Sequence, residues 1–226
     1  MKKIEAMRRA AEHVDGILRD LMTRWLVEGV TEREVHEKLR RAILNDGEYG
    51  LSFDPIVAFG EGAAEPHHEP TERRLKRGDP VLIDCGAICE EWCSDCTRMF
   101  SLGEPSDEFS QKYEKLLRAQ KNALLQFVNG AMCFELDANV RDELGDDAVY
   151  FIHTLGHGVG KEVHEKPRIG PKAVDETLRA GDVVTCEPGL YYVGKFGMRI
   201  EDQLVISEAG QPQILTSLSR ELFVVD

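Results

Sequence analysis

DPVLIDCGAICEEWCSDCTRMF, residues 79–100, contains two apolar runs that predict the arms of a β-hairpin. The first run, Pro80 to Asp84, predicts a buried strand that follows a Gly-Asp-Pro turn. The second run, residues 92–100, can return beside it. Asp84 and Asp95 lie where a half-buried sheet would carry apolar side chains, and a buried carboxylate is unfavourable unless it is paired, hydrogen-bonded or bound to a metal. The two acids therefore predict a cation site on adjacent strands.

The same pattern returns 103 residues further along the chain. LKRGDPVLIDCG at residues 75–86 aligns without a gap with LRAGDVVTCEPG at residues 178–189, and Leu, Gly, Asp, Val and Gly recur in register. Each copy carries an acid at the same position, and each returning strand carries another. The four acids are Asp84, Asp95, Glu187 and Glu201. A repeat at a fixed offset predicts two similar half-domains whose sheets meet, with the four acids pointing into the seam.

Length and charge exclude several classes of protein. The chain has 226 residues and a formal net charge of −13 at pH 7. This length supports one sizeable core, so two half-domains that share a sheet fit better than two independent domains. Binding to nucleic-acid phosphates needs a basic face, so we expect no nucleic-acid partner. No apolar run approaches transmembrane length and no apolar signal segment follows the first residues, so we expect no membrane partner and a cytoplasmic location.

Three of the six cysteines, Cys89, Cys93 and Cys96, have the C-x3-C-x2-C spacing with which radical enzymes hold an iron–sulfur cluster. That interpretation requires a loop after the first strand of a repeated β–α barrel, and the sequence contains no such repeat. In a hairpin the thiols of Cys93 and Cys96 would face opposite sides of the sheet. A disulfide is disfavoured in a cytoplasmic chain. Small buried thiols are therefore the favoured interpretation.

Periodicity along the chain predicts two comparable series of helices and strands. The predicted helices cover residues 4–28, 31–45, 106–129 and 134–144. The predicted strands, besides the hairpin, cover residues 52–59, 150–160, 183–192, 198–206 and 221–225. Thr31 and Glu34 form a capping box at the start of the second helix, and the loop of residues 60–71 carries His67 and His68. The second half thus repeats the sheet pattern of the first, which agrees with two similar half-domains.

A glycine-rich segment in the second half, FIHTLGHGVGKEVHE at residues 151–165, contains His153, His157 and His164. His153 and His157 have the i, i+4 spacing of a helical zinc pair, but the intervening glycines disfavour a helix. Glycines on both sides of His157 instead allow the backbone to approach another group closely. Three histidines together with four seam acids predict a functional site better than they predict ordinary core residues.

Taken together, these motifs resemble the metallopeptidases of the pita-bread fold, which include aminopeptidase P, prolidase, methionine aminopeptidase and the non-peptidase creatinase. The motifs, in the order and spacing of the family, are PHHEPT, LIDCG, SDCTR, LGHGVGxxVHE, CEPGLY and GMRIED, and they extend over essentially the whole chain. The resemblance implies an α+β fold with two pseudo-symmetric α–β halves around a curved, mainly antiparallel sheet. It implies a single catalytic domain over residues 1–226, without the N-terminal domain usual in the aminopeptidase P and prolidase branch.

The resemblance also implies a dinuclear metal centre and a set of catalytic residues. Its five ligands would be Asp84, Asp95, His157, Glu187 and Glu201. The catalytic residues would be Glu187, three histidines that line the substrate pocket and an arginine behind the ligands, namely His67, His153, His164 and Arg199. Glu187 would take a proton from the hydroxide-forming water and pass it to the leaving nitrogen. His164 and His67 would stabilise the oxyanion and the substrate backbone.

The charges of the implied ligands agree with such a centre. Four carboxylates and a neutral His157 balance two divalent ions, and oxygen-rich ligation without a thiolate favours Mn2+, with Co2+, Fe2+ and Zn2+ as alternatives. Acids that bridge two ions can hold them roughly 3.5–4 Å apart, and a water shared between them becomes a hydroxide near neutral pH. The resemblance therefore implies that a metal-bridging hydroxide attacks the scissile carbonyl.

The implied function is that of an exopeptidase that hydrolyses the bond before proline, as an Xaa-Pro aminopeptidase or an Xaa-Pro dipeptidase. PHHEPT at residues 66–71 resembles the proline-peptidase branch, so the expected substrate is a peptide with proline at the second position. Two alternatives keep the same site, namely methionine removal and C–N hydrolysis of a small amidine as in creatinase. A third alternative is a binding protein that keeps the fold without catalysis. The sequence leaves a homodimer open.

Overall fold

Four α-helices and fourteen short strands make up the structure, a computed structural model that describes residues 2–226. The helices are α1 (Lys2–Arg24), α2 (Glu32–Leu44), α3 (Asp107–Leu124) and α4 (Cys133–Leu144). The predicted capping box is present at α2: the Thr31 hydroxyl accepts the Glu34 backbone N–H, and the Glu34 carboxylate accepts the Thr31 N–H. No helix within residues 2–226 has both the length and the apolar character needed to cross a membrane.

Two helices end earlier than their periodicity predicts. α1 ends at Arg24, four residues early, because Leu26 turns into the core and is only 1% exposed. α3 ends at Leu124, five residues early, because Phe127 does the same and is fully buried. Burial of one large apolar side chain stabilises by about 1.5–3 kcal/mol. Helix propensity contributes about 0.7 kcal/mol or less per residue, so burial decides where each helix ends.

The strands are short and belong to four sheets. They are β1 (Gly50–Leu51), β2 (Ile56–Phe59), β3 (Pro80–Cys85), β4 (Ala87–Cys89), β5 (Trp92–Cys93), β6 (Cys96–Leu102), β7 (Gly156–Gly158), β8 (Glu165–Ile169), β9 (Val183–Cys186), β10 (Gly189–Tyr192), β11 (Phe196–Arg199), β12 (Asp202–Val205), β13 (Gln213–Ile214) and β14 (Phe223–Val225). The two larger sheets have the orders β14–β6–β3–β2 and β13–β12–β9–β7–β8, and the smaller ones are β1–β4–β5 and β10–β11. Among the described strands only β14 and β6 pair in parallel, so the predicted mainly antiparallel arrangement is confirmed.

The repeat in the sequence is also a repeat in the structure. β3, from the first copy, pairs antiparallel with β6, and β9, from the second copy, pairs antiparallel with β12. The turn before each pair is closed by the same bond, since the Gly78 N–H donates to the Leu102 carbonyl and the Gly181 N–H donates to the Ile206 carbonyl. Two helices precede each pair of strands. The prediction of two similar α–β halves is confirmed.

Several predicted strands are interrupted, and three interruptions carry acids of the seam. The second arm of the hairpin, predicted at residues 92–100, is broken at Ser94 and Asp95, between β5 and β6. The strand predicted at residues 183–192 divides into β9 and β10 around Glu187 and Pro188, because proline has no N–H to continue the ladder. The strand predicted at residues 198–206 is broken by Ile200 and Glu201, between β11 and β12. The acids therefore lie at strand ends, where the backbone is free to turn their side chains inward.

Two further predicted strands are regular over only part of their length. The strand predicted at residues 52–59 begins at Ile56, after Pro55, whose missing N–H prevents earlier pairing. The strand predicted at residues 150–160 is paired only at β7, because the chain before it forms 3-10 turns at Gly145–Tyr150. Residues 151–155, between these turns and β7, therefore form a loop, and its residue His153 lines the cavity described below.

Alternation along β3 separates a helix-facing side of the sheet from a seam-facing side. Val81 and Ile83 belong to the apolar cluster that contains Leu18 of α1 and Leu39 of α2. Successive side chains of a strand point to opposite faces, so Asp84 points away from these helices. The helices α3 and α4 form a second apolar cluster with the other half. Each helix pair thus covers its own half, and the acids face the seam between the halves.

Asp147 joins the turns before the histidine segment to α3 and β10. Its carboxylate accepts hydrogen bonds from Lys112 Nζ at 2.6 Å, Lys115 Nζ at 2.7 Å and the Tyr192 hydroxyl at 2.9 Å. Burial acts in the opposite direction, but the hydrogen bonds from the two lysines lower the pKa of Asp147 to about 2. Because both lysines are about 30% exposed, solvent screens the pair, and we expect Asp147→Asn to destabilise the fold by about 1–2 kcal/mol at neutral pH.

The Asp147 contribution is expected to depend on pH. The pKa of the folded state lies below the ordinary value of 3.8, so the contribution is present above about pH 4 and is lost as the pH falls toward about 2. Urea titrations of wild type and Asp147→Asn should therefore give unfolding free energies that converge in acid. Asp146→Asn, which changes an exposed neighbour, is the matched control and should follow wild type. A difference that is constant with pH would contradict the expectation.

Candidate metal centre

Four carboxylates from both halves of the molecule line one cavity at the seam, three of them buried and that of Glu187 half-buried. Asp84 is on β3, Asp95 directly precedes β6, Glu187 follows β9 and Glu201 precedes β12. One oxygen of Asp95, one oxygen of Glu201 and one ring nitrogen of His157, on β7, lie within 4.8 Å of one another. The sequence-predicted acids are therefore close together in space, although their roles as ligands stay a prediction.

His157 is oriented with its Nε2 atom toward the acids. Its Nδ1 lies 3.0 Å from the Gly158 carbonyl oxygen and must donate to it, which leaves the Nε2 lone pair free in a neutral ring. Nε2 is 3.1 Å from Glu187 Oε1 and 3.7 Å from Asp95 Oδ2. In metal-bound histidines, one ring nitrogen likewise donates a hydrogen bond that fixes the ring, and the other nitrogen faces the metal.

Close packing around His157 depends on its flanking glycines, as predicted. A Cβ atom at Gly156 would clash with the Thr185 carbonyl, and one at Gly158 would clash with the Lys166 carbonyl. The absence of side chains lets β7 lie against β8 and β9. His157 is thereby held at the level of the acids on a strand, and the helical zinc-pair alternative is wrong.

Burial and mutual repulsion make the acid cluster electrostatically unfavourable on its own. Burial, together with the charges of Glu201 and Asp84, raises the pKa of Asp95 well above its usual range. Burial, together with Glu187 and Asp84, does the same for the pKa of Glu201. Burial also raises the pKa of Asp84, against the attraction of Arg199. Like charges so close together need compensating cations if they are to be ionised together.

The chemistry of the donors fits divalent cations. Oδ1 of Asp84 is buried and has no hydrogen-bond partner among residues 2–226, as expected of an oxygen that faces a ligand. The cluster offers carboxylate oxygens and one imidazole, a donor set suited to ions such as manganese. All six cysteines, in the described chain, are free and buried, and none belongs to the cluster. The buried-thiol interpretation of the cysteines is confirmed, and the residues present fit a divalent-metal site.

Two threonines hold the carboxylates in place. The Thr97 hydroxyl donates to Glu201 Oε2 at 2.8 Å and accepts from Arg199 Nε at 2.9 Å. The Thr185 hydroxyl donates to Glu187 Oε1 at 2.9 Å and accepts the His157 backbone N–H at 3.1 Å. Each hydroxyl therefore uses its single proton on a carboxylate, which fixes the direction of that carboxylate.

Arg199, Tyr191 and His153 form a chain of hydrogen bonds beside the acids. Arg199 Nη2 donates to Asp84 Oδ2 at 2.6 Å, and Nη1 donates to the Tyr191 hydroxyl at 2.7 Å. His153 Nδ1 donates to the Thr154 carbonyl at 2.8 Å, so its Nε2 accepts from the Tyr191 hydroxyl at 2.9 Å. Burial lowers the pKa of His153, which agrees with the neutral ring that this arrangement requires.

A cavity of about 600 Å³ opens over the cluster and contains all the sequence-predicted site residues. These are His67, Asp84, Asp95, His153, His157, His164, Glu187, Arg199 and Glu201. His164 is exposed, and its ring lies edge-on to that of His157 with centroids 4.4 Å apart. His153 differs from the other two pocket histidines because both of its ring nitrogens already have protein partners.

Behind the acids, a buried ion pair joins the two halves. Arg98 is 0% exposed and donates to Asp202 Oδ1 at 2.6 Å and to the Leu218 carbonyl at 2.8 Å. It also donates to the backbone carbonyls of Thr97 and Glu201. Asp202 is likewise buried, and its carboxylate pairs with both Arg98 and Arg220. This pair fixes the backbone that carries two members of the site.

Sequence reasoning missed Thr97, Thr185, Tyr191 and the Arg98–Asp202 pair as supports of the site. All of these residues lie within or beside the quoted motifs. A threonine in a predicted strand, two residues from a seam acid, was the available signal for Thr97 and Thr185. Partners more than 100 residues away, as for Arg98 and Asp202, leave no local pattern.

Comparison with known proteins agrees with this architecture. The model of Metallopeptidase family M24 matches residues 5–208. The X-Pro aminopeptidase from Thermotoga maritima MSB8 superposes with a TM-score of 0.94 at 38% identity, over 99% of this chain and 63% of that chain. The prolidase from Pyrococcus furiosus gives a TM-score of 0.92 at 37% identity, over 97% of this chain and 65% of that chain. The fold is the pita-bread fold of metallopeptidase catalytic domains, as predicted.

A curated relative extends the similarity to the sequence level. An uncharacterized peptidase of Staphylococcus aureus (strain MSSA476) is 38% identical over 216 residues, which are 95% of this chain and 61% of the relative. This chain belongs to metallopeptidase family M24. It spans about three fifths of the length of the curated relatives that it matches.

Proposed function

We propose that this protein is a metal-dependent exopeptidase that hydrolyses the peptide bond before proline, as an Xaa-Pro aminopeptidase or an Xaa-Pro dipeptidase. The observation that carries the proposal is that the acid cluster, His67 and His164 line one and the same cavity. The names of the solved relatives, an X-Pro aminopeptidase and a prolidase, support the choice of proline peptides. The proposed catalytic unit is the 226-residue chain, and the proposed substrate carries proline at its second position.

The proposed metal content is two divalent cations held by Asp84, Asp95, His157, Glu187 and Glu201. Four carboxylates and one neutral imidazole supply enough negative charge for two such ions, and oxygen-rich donors favour manganese, with cobalt, iron and zinc as alternatives. Support comes from the close approach of Asp95, His157 and Glu201 and from the unpartnered oxygen of Asp84. When bound, the cations would polarise the scissile carbonyl and lower the pKa of the attacking water.

The chain itself supplies the proton transfer. Glu187 is at the cavity wall, with Oε1 held by the Thr185 hydroxyl. We assign to Glu187 the removal of a proton from the attacking water and its delivery to the leaving nitrogen of proline, since a fixed carboxylate facing the cavity can do both. Arg199 keeps Asp84 in position through its 2.6 Å hydrogen bond and keeps Tyr191 turned toward His153.

Two histidines are assigned to the substrate. Partial desolvation at the cavity wall, together with the neighbouring His157, lowers the pKa of His164, so the ring is neutral near neutral pH and can donate one N–H to the oxyanion that forms on the scissile carbonyl. His67 lies on the loop of residues 60–71 and is assigned to the substrate backbone. His153 is assigned to holding Tyr191, because both of its nitrogens are engaged.

Cleavage of a matched peptide panel tests the proposal. With manganese present, we expect Ala-Pro or Ala-Pro-Pro to be hydrolysed about 10²-fold faster than Ala-Ala or Ala-Ala-Pro, because a pocket that fits the proline ring rejects other residues by about that factor. Liberated alanine is the measurement. Release of methionine from Met-Ala in preference to both proline peptides would support the methionine alternative and contradict the proposal, as would activity confined to small amidines.

Metal content separates an enzyme from a binding protein of the same fold. We expect elemental analysis of manganese-treated protein to give about two ions per chain. A chain that cannot be loaded with any divalent metal and cleaves none of the peptides would favour a non-catalytic binding protein.

A further inference from the structure

Glu32 is a fully buried carboxylate that lies outside the proposed site. It is the first residue of α2, and its side chain contacts the loop of residues 60–71. Oε1 accepts the backbone N–H of Phe59, just before the loop, at 2.8 Å. Oε2 accepts the backbone N–H of Thr71, at the other end of the loop, at 2.9 Å and its hydroxyl at 2.6 Å. One carboxylate thus joins the two ends of the loop.

His68 makes the third contact to Oε2 of Glu32, with Nε2 at a distance of 3.0 Å. The His68 side chain is 9% exposed, and its Nδ1 lies 3.6 Å from the carboxylate of Glu65. Gly62 makes room for the ring, since a Cβ atom there would lie 2.9 Å from Cε1 of His68. The hydrogen bond to Glu32 raises the pKa of His68. The loop is therefore built to accept this buried pair.

The start of α2 does not need Glu32 for its own stability. Capping is already provided by Thr31 and Glu34. A carboxylate with four donors around it is strongly disfavoured if any donor is lost, so this network is specific for an acid. Its contacts fall on both sides of His67, at Phe59 and at His68 and Thr71. The side chain of His67 is exposed and has no hydrogen bond of its own within residues 2–226.

We propose that Glu32 and His68 are positioning residues, which hold the loop of residues 60–71 so that His67 faces the substrate. The inference rests on the proposed function, because it gives the role of His67 its structural basis. A histidine on a loop is placed less accurately than one on a strand unless neighbouring contacts hold the loop. His157 is on a strand, whereas His67 is not, and the Glu32–His68 pair supplies the missing support.

A double-mutant cycle with His67 tests whether His68 acts through it. In the metal-loaded full chain we expect His68→Ala to lower kcat/KM on the preferred proline peptide by about tenfold, the usual cost of losing a support of this kind. His68→Gln, whose amide can still donate to Glu32, should return kcat/KM to within about threefold of wild type. In a His67→Ala background, His68→Ala should cost less than about twofold further, because the residue to be positioned is already gone.

Glu34→Gln is the matched control, because it weakens the same first turn of α2 without touching the loop. It should lower stability and leave kcat/KM unchanged. If His68→Ala costs the same factor with and without His67, or costs nothing in the wild-type background, the inference is wrong. Glu32→Gln is expected to resemble His68→Ala, and the His68 variants keep the test decisive if Glu32→Gln does not fold.

Hydrogen exchange of the loop gives a measurement that does not depend on activity. Followed by mass spectrometry, the amides of residues 65–71 should exchange faster in His68→Ala than in wild type and in Glu34→Gln, at equal metal content. If no peptide is cleaved, the proposed function fails, but the exchange measurement still tests whether Glu32 and His68 hold the loop. Unchanged exchange in the loop would overturn the inference in either case.

Discussion

Glu201→Ala is expected to abolish peptide hydrolysis and to remove bound metal. Glu201 belongs, with Asp95 and His157, to the group whose donor atoms lie within 4.8 Å of one another. We expect kcat to fall by well over 10²-fold, beyond the roughly 10- to 100-fold cost of changing a residue that only supports a ligand. Asp95→Ala should behave in the same way. The measurements are kcat on the preferred proline peptide and metal content of the same preparation.

Stability separates the loss of a ligand from the loss of a structural residue. Without metal, Glu201→Ala should be at least as stable as metal-free wild type, because it removes one of several mutually repelling buried charges. With metal, wild type should gain thermal stability through binding, and the variant should gain none. Glu208→Ala is the control, because Glu208 is an exposed acid seven residues further along the chain. This variant should keep both activity and metal. Activity above about a tenth of wild type in Asp95→Ala or Glu201→Ala would remove that residue from the site.

His164→Ala is expected to lower kcat strongly without releasing metal. The ring of His164 lines the cavity and contacts the ring of His157 edge-on, but His164 is exposed and its removal opens no buried space. If His164 donates to the oxyanion, the folded variant should lose on the order of 10²–10³ in kcat, the usual effect of removing one such donor. Metal content measured on the same protein should remain that of wild type.

His13→Ala is the matched control for this substitution. The ring of His13 stacks on that of Tyr49 with centroids 4.0 Å apart, and its Nε2 atom lies 3.0 Å from the Ile43 carbonyl oxygen. His13 does not line the cavity. Its removal should cost stability and leave kcat near normal. Normal kcat with normal metal in His164→Ala would remove His164 from the mechanism. Low kcat together with lost metal would make it a support of His157 instead.

The sequence alone predicted the α+β fold, the two similar halves and the group of residues that meet in the cavity. These features depend on local pattern, since the repeat of residues 75–86 at residues 178–189 carries the acids at equivalent positions in each half. Asp84 and Glu187 interrupt apolar runs, and a buried acid in such a run demands a partner wherever the chain folds. The glycines around His157 likewise indicate close backbone approach before any partner is known.

The ends and interruptions of the secondary structure were less accessible from sequence. α1 ends at Arg24 because Leu26 is buried in the core. Periodicity alone does not show where the core has space for this side chain. The division of the strands around Glu187 and around Glu201 determines which way these acids point. Both outcomes depend on the packing of one half against the other.

Only the tertiary structure decided what supports the site. Thr97 bonds Glu201 and Arg199 across about a hundred residues of sequence, and Arg98 reaches Asp202 over a similar separation. Hydrogen-bond partners this far apart share no periodicity or spacing, so no local pattern records them. Glu32 and His68 meet for the same reason, since the first turn of α2 and the His67 loop become neighbours only when the half-domain folds.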